Sequence, residues 1–449
     1  MNPYALNRML PAVALLLAIQ TTAGGQGVIA PQQVVSDALA HSQYLKVLDR
    51  EVDAAGARKD QAKAQGLPLL AAGAQATHYT GLGDSSFGPF LVIPFIEDRY
   101  GAAVSVTQPL YTGGRITHQE QVADLQKAAA KHDLRGAEAD LILQALNAYW
   151  SWSKAFYSVE SLRAAVARVE AHDRDVQNLH QAGLATDNDA LATDVLLDQT
   201  RLRLEEAQRR VEVAEARISF LTGQPLPTGS TPLQAQGASN PDMPPEATLV
   251  DAALANRAER AARVMEAKAA ASQVEATRAD YCPQVSLIAR YEQARPNLLD
   301  IPPQDKWQDD AFIGVTLSWS LFDWGLRRAK VAEASARSAQ AHLRAEQVQE
   351  QISLEVREAR INRQDACERV TVADRVEQSA QRNLAAATDL WQNGLARHSD
   401  VLDAHQQLTA AQYEALAARA DLELAEAALD HAIGRLNTPS PPPAPKPQP

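Results

Sequence analysis

Only two cysteines, Cys282 and Cys367, occur in the 449 residues, and they form neither a metal-ligand pattern nor a disulfide framework. Aromatic residues are sparse too, at 5% against a hydrophobic total of 46%. Much of that total is alanine scattered among Arg, Gln, Glu and Asp, a mix that favours long helices with thin apolar seams over a thick core. Positive charge is in deficit. The net charge is −12 and no basic stripe tracks phosphates, so nucleic acid is not an expected partner. No nucleophile elbow, phosphate loop or zinc-protease motif is present. The ten histidines, among them His118, His132, His172 and His180, include no pair with carboxylate or cysteine support at ligand spacing. Nothing here points to an enzyme, a cofactor or a bound metal.

Long hydrophobic runs are missing as well. Leu10 to Ile19 is an apolar stretch of about ten residues, half of the roughly 20 that a membrane-spanning helix needs. With Arg8 before it and the small residues Thr21-Thr22-Ala23-Gly24-Gly25 after it, residues 1–25 read as an export signal. No cysteine follows the cleavage region, so lipidation of the mature end is not expected. If this chain crosses a membrane, it does so with strands.

What the chain does contain is an internal repeat. Ala38-Leu39-Ala40-His41 recurs as Ala253-Leu254-Ala255-Asn256, and Pro68 has its counterpart in Pro283. Leu110-Tyr111-Thr112-Gly113-Gly114-Arg115 recurs as Leu321-Phe322-Asp323-Trp324-Gly325-Leu326. Gly183-Leu184-Ala185 with Asp189 and Leu191 recurs as Gly394-Leu395-Ala396 with Asp400 and Leu402, and Gly223 pairs with Gly434. The offset is 215 residues for the first two matches and 211 for the rest, so one gap between the strands accounts for all five. This organisation gives a first strand-and-helix repeat over 30–223, a Pro/Gly/Ser-rich linker over 224–246, a second repeat over 247–437 and a Pro-rich tail over 438–449.

Each copy reads as helix, strand, loop, strand, long helix, turn, helix. The expected segments are 33–66, 68–80, 100–111, 113–182 and 186–222, then 247–281, 283–293, 311–323, 325–393 and 398–434. Ile313, Val315, Leu317, Trp319 and Leu321 alternate with Gly314, Thr316, Ser318 and Ser320. Tyr100, Ala102, Val104 and Val106 alternate in the same way with Gly101, Ala103, Ser105 and Thr107. Period two with one apolar and one small polar face suits a sheet between lipid and water, and a soluble antiparallel sheet satisfies it equally. Each long helix, of about 70 residues, would run roughly 105 Å. Its two shorter neighbours together nearly equal it, so they should stack end to end along it, as a coiled-coil-like hairpin extending from a small sheet. Tyr149, Trp150, Trp152, Phe156 and Tyr157 fall where the two short helices should meet, which makes them packing residues.

With this repeat and its twin turn motifs Gly183-Leu184-(x4)-Asp189 and Gly394-Leu395-(x4)-Asp400, the chain resembles the TolC family of outer-membrane efflux proteins over about 30–437. The resemblance implies a mainly α fold with a small β part. Each protomer would give four strands to a trimeric 12-stranded β-barrel, and the helices would form a periplasmic tunnel. It implies a homotrimer in outer-membrane lipid, working with a periplasmic adaptor (membrane fusion) protein and an inner-membrane transporter. Gly183, Leu184, Ala185, Gly394, Leu395 and Ala396 would meet the adaptor. Asp400 and Asp403, three apart on one helix face, would line an acidic gate, which Asp189 and Trp391 would help to latch. Trp391 stands where the family commonly has tyrosine, so a hydroxyl-mediated latch is not available. The first-repeat counterpart of Asp403 is Ala192, which confines the acid doublet to the second copy. The implied function is the exit duct of a tripartite efflux pump for small molecules. A duct for type I protein secretion and a periplasmic coiled-coil scaffold without a pore are the alternatives.

Overall fold

The computed structural model describes residues 27–81, 83, 85–86, 92–93, 95–237, 243–300 and 304–436. The export signal expected over 1–25 and the Pro-rich tail expected over 438–449 lie outside the described residues, as does part of the linker.

In chain order, β1 (Val28–Ile29) leads into α1 (Pro31–His41) and α2 (Gln43–Ala64). Then come β2 (Leu69–His78), the short β3 (Ser85–Ser86) and β4 (Val92–Ile93), β5 (Asp98–Tyr111), α3 (Arg115–Gln181) and α4 (Asp187–Thr222). The order returns with β6 (Thr231–Pro232), α5 (Glu246–Asn256), α6 (Ala258–Arg278), β7 (Gln284–Arg295), β8 (Gln308–Ser318), α7 (Leu326–Gln392) and α8 (His398–Ala432).

α3 and α7 have 67 residues each, which at 1.5 Å per residue makes each about 100 Å long. α2 and α4 both lie along α3, while α6 and α8 both lie along α7, as the matched lengths require. α3 also packs on α6 and α8, so the helices form a wall whose two margins are α2/α4 on one side and α7 on the other.

The short helices depart from expectation in one respect. The continuous helices expected over 33–66 and 247–281 are each broken, at Ser42 (φ −50, ψ 115) and at Arg257 (φ −64, ψ 120). The cause lies below the breaks. α4 and α8 end at Gly223 and Gly434, both at positive φ, and these glycines press against the broken turns. A Cβ on Gly223 would meet the His41 ring at 2.2 Å, and one on Gly434 would meet Asn256 at 2.9 Å. The upper helix must therefore bend aside, and Ser42 restarts it by accepting the Leu45 N–H at 3.2 Å.

The four long strands form one antiparallel sheet in the order β2-β5-β7-β8. β2 and β8 are its margins, each with one unpaired edge. β8 stops at Ser318, short of the expected residue 323. Trp319 Nε1 donates to the Tyr281 carbonyl at 3.0 Å, and Asp323 accepts from the Arg327 N–H at 3.0 Å to start α7, so the segment between leaves the ladder. Within this chain the sheet's apolar side chains are left uncovered, and β2 is exposed along its whole length. On β8, Ile313, Val315 and Leu317 are 73%, 65% and 64% exposed. On β5, Tyr100, Val104 and Val106 are exposed, while Gly101 is buried and Ser105 and Thr107 are half-buried.

The turns into α3 and α7 use the same backbone. Gly113 and Gly114 have φ +62 and +85, and their repeat counterparts Trp324 and Gly325 have 55 and 87. Trp324 is the one non-glycine at positive φ among the described residues, and its side chain is almost fully exposed. A left-handed non-glycine costs about 1–2 kcal/mol, so Trp324→Gly should raise stability by about 1 kcal/mol in detergent-solubilised protein, measured by chemical unfolding.

The wall's seams are lined mostly by alanine, with one aromatic exception. Tyr149 and Trp152 are fully buried where α1, α4 and the β1–β6 pair converge on α3, the level at which the short helices were expected to meet. Successive turns of α3 fasten the pair. Tyr149 OH donates to the Ile29 carbonyl at 2.8 Å and accepts from the Leu233 N–H at 2.8 Å. Ser153 and Tyr157 hydroxyls donate to the Leu233 and Pro232 carbonyls at 2.7 and 2.9 Å.

Candidate functional site

The end of the wall remote from the sheet is built by two near-identical turns. α3 ends at Gly183 (φ +72), with the Leu184 N–H donating to the Leu179 carbonyl at 2.8 Å. α7 ends at Gly394 (φ +72), with the Leu395 N–H donating to the Leu390 carbonyl at 2.8 Å. Both are closures in which a left-handed glycine lets the chain fold back onto the last carbonyls. Leu184 and Leu395 then project outward, 77% and 76% exposed, while Ala185 and Ala396 are half-covered. A Cβ at Gly183 or Gly394 would meet nothing, so the glycines serve backbone geometry and leave the space open.

The following helices start with related caps. Thr186 Oγ1 accepts the Asp189 N–H at 3.2 Å, and the Asp189 carboxylate accepts the Thr186 N–H at 3.0 Å. The Thr186 hydroxyl and N–H hold the Asp189 carboxyl below its ordinary range. The box is therefore complete above that range and is lost as pH falls through the lowered value. In the second repeat only half survives: the Arg397 N–H donates to Asp400 at 3.1 Å, and arginine supplies no hydroxyl. Thr186→Ala should cost about 1 kcal/mol, read as faster amide exchange in the first turn of α4, while Arg397→Thr should slow exchange in α8.

The acidic candidates thus separate by role. Asp400 caps α8, whereas Asp403, one turn on, is exposed. Asp189 caps α4. Trp391 does not meet it through a hydroxyl; its indole packs edge-on to His172 at 5.1 Å and beside His398 at 5.4 Å.

This aromatic contact belongs to a histidine cluster that sequence spacing does not display. His172 of α3 stacks on His398 of α8 at 5.1 Å, with 18° between the rings, and meets His405 at 5.4 Å. All three are buried, at 6%, 8% and 7% exposure. His398 shares a hydrogen bond of 2.9 Å with the Thr193 hydroxyl of α4. One ring nitrogen each of His172 and His398 is buried without a hydrogen-bond partner. The cluster was invisible in sequence because its members come from different repeats, 205 residues apart in the case of Thr193 and His398. Its signal was present, in that His398 and His405 are seven apart and share a helix face. Other histidines found carboxylates through the fold: His180 with Asp187 at 2.6 Å across the tip turn, and His431 with Asp140 at 2.8 Å between repeats. Among the described residues, no group of three acidic, histidine or cysteine side chains is arranged to hold a metal ion.

Comparison with known proteins returned no match among curated sequences. Among solved structures, the VceC outer membrane protein of Vibrio cholerae superposes with a TM-score of 0.77 at 21% identity, covering 90% of this chain and 96% of that one. The CmeC outer membrane channel of Campylobacter jejuni gives 0.76 at 17%, covering 90% and 85%. The open state of the MtrE outer membrane channel of Neisseria gonorrhoeae gives 0.74 at 17%, covering 90% and 88%. At such identities these likenesses speak to the fold. Membership is carried by the sequence itself: the family model described as "Outer membrane efflux protein" matches residues 34–224 and 249–435. With both repeats matched, the chain belongs to the outer membrane efflux protein family, a TolC-like family of channels with a periplasmic helical extension.

Proposed function

We propose that this protein is the outer-membrane exit duct of a tripartite efflux pump for small molecules. It would assemble as a homotrimer, dock through its tip on a periplasmic adaptor, and draw its energy from an inner-membrane transporter. The observation that carries the reading is the uncovered sheet: an exposed apolar face on β5 and β8, with unpaired edges on β2 and β8. In water that face would drive aggregation, and in lipid the open edges would each leave a row of unpaired backbone groups. Joining β8 of one copy to β2 of the next would pair the edges, lipid would cover the apolar face, and three copies would close twelve strands.

The helices support the same arithmetic. α4 exposes Leu191, Val195, Leu202, Val213 and Phe220 along its free side, and α7 exposes Leu354, Ile361, Val372 and Val376. The two margins differ, so copies associate head to tail, a geometry that closes into a ring. Gly183, Leu184, Ala185, Gly394, Leu395 and Ala396 form the adaptor-facing end, with Asp400 and Asp403 as the acidic constriction and Asp189 and Trp391 beside it. A pore-free scaffold has no use for a lipid-facing sheet.

Single-channel recording of the detergent-purified protein in planar bilayers tests the reading. Discrete, cation-preferring openings are expected. Protein that leaves membranes without detergent, and that stays silent even when its constriction is neutralised, would overturn it.

A further inference from the structure

We infer that His172, His398 and His405 form a proton-operated latch, holding the second helical hairpin closed against the first at neutral pH and releasing it in acid. The inference rests on the duct reading above and gives the gate a regulatory input.

The geometry places the cluster where such a latch must sit. His172 belongs to α3 of the first hairpin; His398 and His405 belong to α8 of the second. The stacked pair His172–His398 and the bond from His398 to Thr193 of α4 both cross between hairpins. Trp391 of α7 closes the cluster from the remaining element. No other described contact ties so many aromatic rings between the two hairpins. Moving the second hairpin away from α3 and α4 parts His172 from His398, His405 and Trp391, and Thr193 from His398, and exposes the imidazoles to water.

The surroundings favour the neutral state in the closed form. Burial, followed by the neighbouring imidazoles, pushes His172 and His405 down to about 4, with Arg168 adding to the effect on His405, and burial lowers His398 as well. The facing groups are few. From α3, Arg168 adds positive charge beside His405 and donates to Gln412 of α8 at 3.1 Å. Asp173, next to His172, lies near Arg201 of α4. From α4, Asp189 is the one acid that acts on His398, opposing its loss of charge. α7 contributes the uncharged indole of Trp391. One proton on the stack therefore faces other imidazoles and Arg168, with a single carboxylate in compensation.

The sign follows. A ring held near 4 when closed returns to about 6.5 when parted and hydrated. The closed state is fully favoured above about 6.5 and loses ground as pH falls towards 4. For each such ring, opening becomes about 30-fold more favourable at pH 5 than at pH 7.5.

The experiment is single-channel recording between pH 7.5 and 5 in an Asp400→Asn/Asp403→Asn background, which removes the competing titration of the acidic constriction. Open probability is expected to rise at least tenfold on acidification. The rise should disappear in the added His172→Gln/His405→Gln variant, with His172→Phe/His405→Phe as a second non-titrating pair should the first fail to fold. Trp391 emission, taken as the difference from a Trp391→Phe control, should be quenched with a midpoint between pH 6.5 and 4. An open probability flat with pH, in protein that conducts, overturns the latch and leaves the duct standing. A rise that persists in both histidine variants also overturns it. Absence of conductance from every variant at every pH overturns the duct reading and the latch together.

Discussion

Neutralising the acidic doublet by Asp400→Asn/Asp403→Asn is expected to abolish most of the channel's cation preference, taking the cation-to-anion permeability ratio close to one, and to raise its conductance. In the proposed trimer six carboxylates would meet at one axis, and Asp403 is exposed with no side-chain partner among the described contacts. Rings of acids at a constriction concentrate cations and exclude anions, and the field they exert is strongest where the bore is narrowest. The choice of asparagine matters. Asp400 accepts the Arg397 N–H at 3.1 Å to start α8, and alanine would remove that cap together with the charge. Asparagine keeps an acceptor oxygen at a helix start while removing the charge. Bi-ionic reversal potentials read the ratio directly. A ratio unmoved by the double variant would place the selective constriction on other residues.

Trp152→Ala is expected to produce the largest loss of stability of any single substitution considered, about 3–5 kcal/mol, because a fully buried indole leaves a cavity that rigid helices cannot refill. Tyr149→Phe should cost about 2 kcal/mol despite the smaller change, since it strands the Ile29 carbonyl and the Leu233 N–H that the hydroxyl now serves. Trp152→Phe should cost only about 1–2 kcal/mol. The Trp152 Nε1 has no acceptor in the structure, so its loss leaves no orphaned group and the penalty is volume alone. Urea unfolding of the three variants checks the order Trp152→Ala, Tyr149→Phe, Trp152→Phe. If Trp152→Phe costs as much as Trp152→Ala, its indole N–H has a partner that the cavity argument lacks.

Much of this fold was legible in sequence because its periodicities are long. Runs of 67 residues without a proline announce α3 and α7, and a period of two over Ile313 to Leu317 announces β8. What escaped were events decided by contacts between distant segments. Ser42 is a local capping signal that the expected continuous helix passes over, and Arg257 has none; both breaks sit where Gly223 or Gly434 arrives from far along the chain. β8 ends at Ser318 although its alternation runs on to Leu321, because Trp319 finds the Tyr281 carbonyl. At the tip, the paired turn motifs located both glycine closures, since a left-handed glycine after a long helix is a local requirement. The histidine cluster is the reverse case, created by the packing of α3 on α8.

The broken short helices have a mechanical consequence. Of the rods that make up the wall, α3 and α7 pass the waist unbroken, whereas the α2/α4 and α6/α8 columns are only stacked there, with Gly223 and Gly434 as their bearing surfaces. A stacked column carries compression along its axis but transmits little torque across the joint. Twisting the lower half would therefore strain two continuous struts in this chain rather than four, which makes the waist the level of the wall that yields most in torsion.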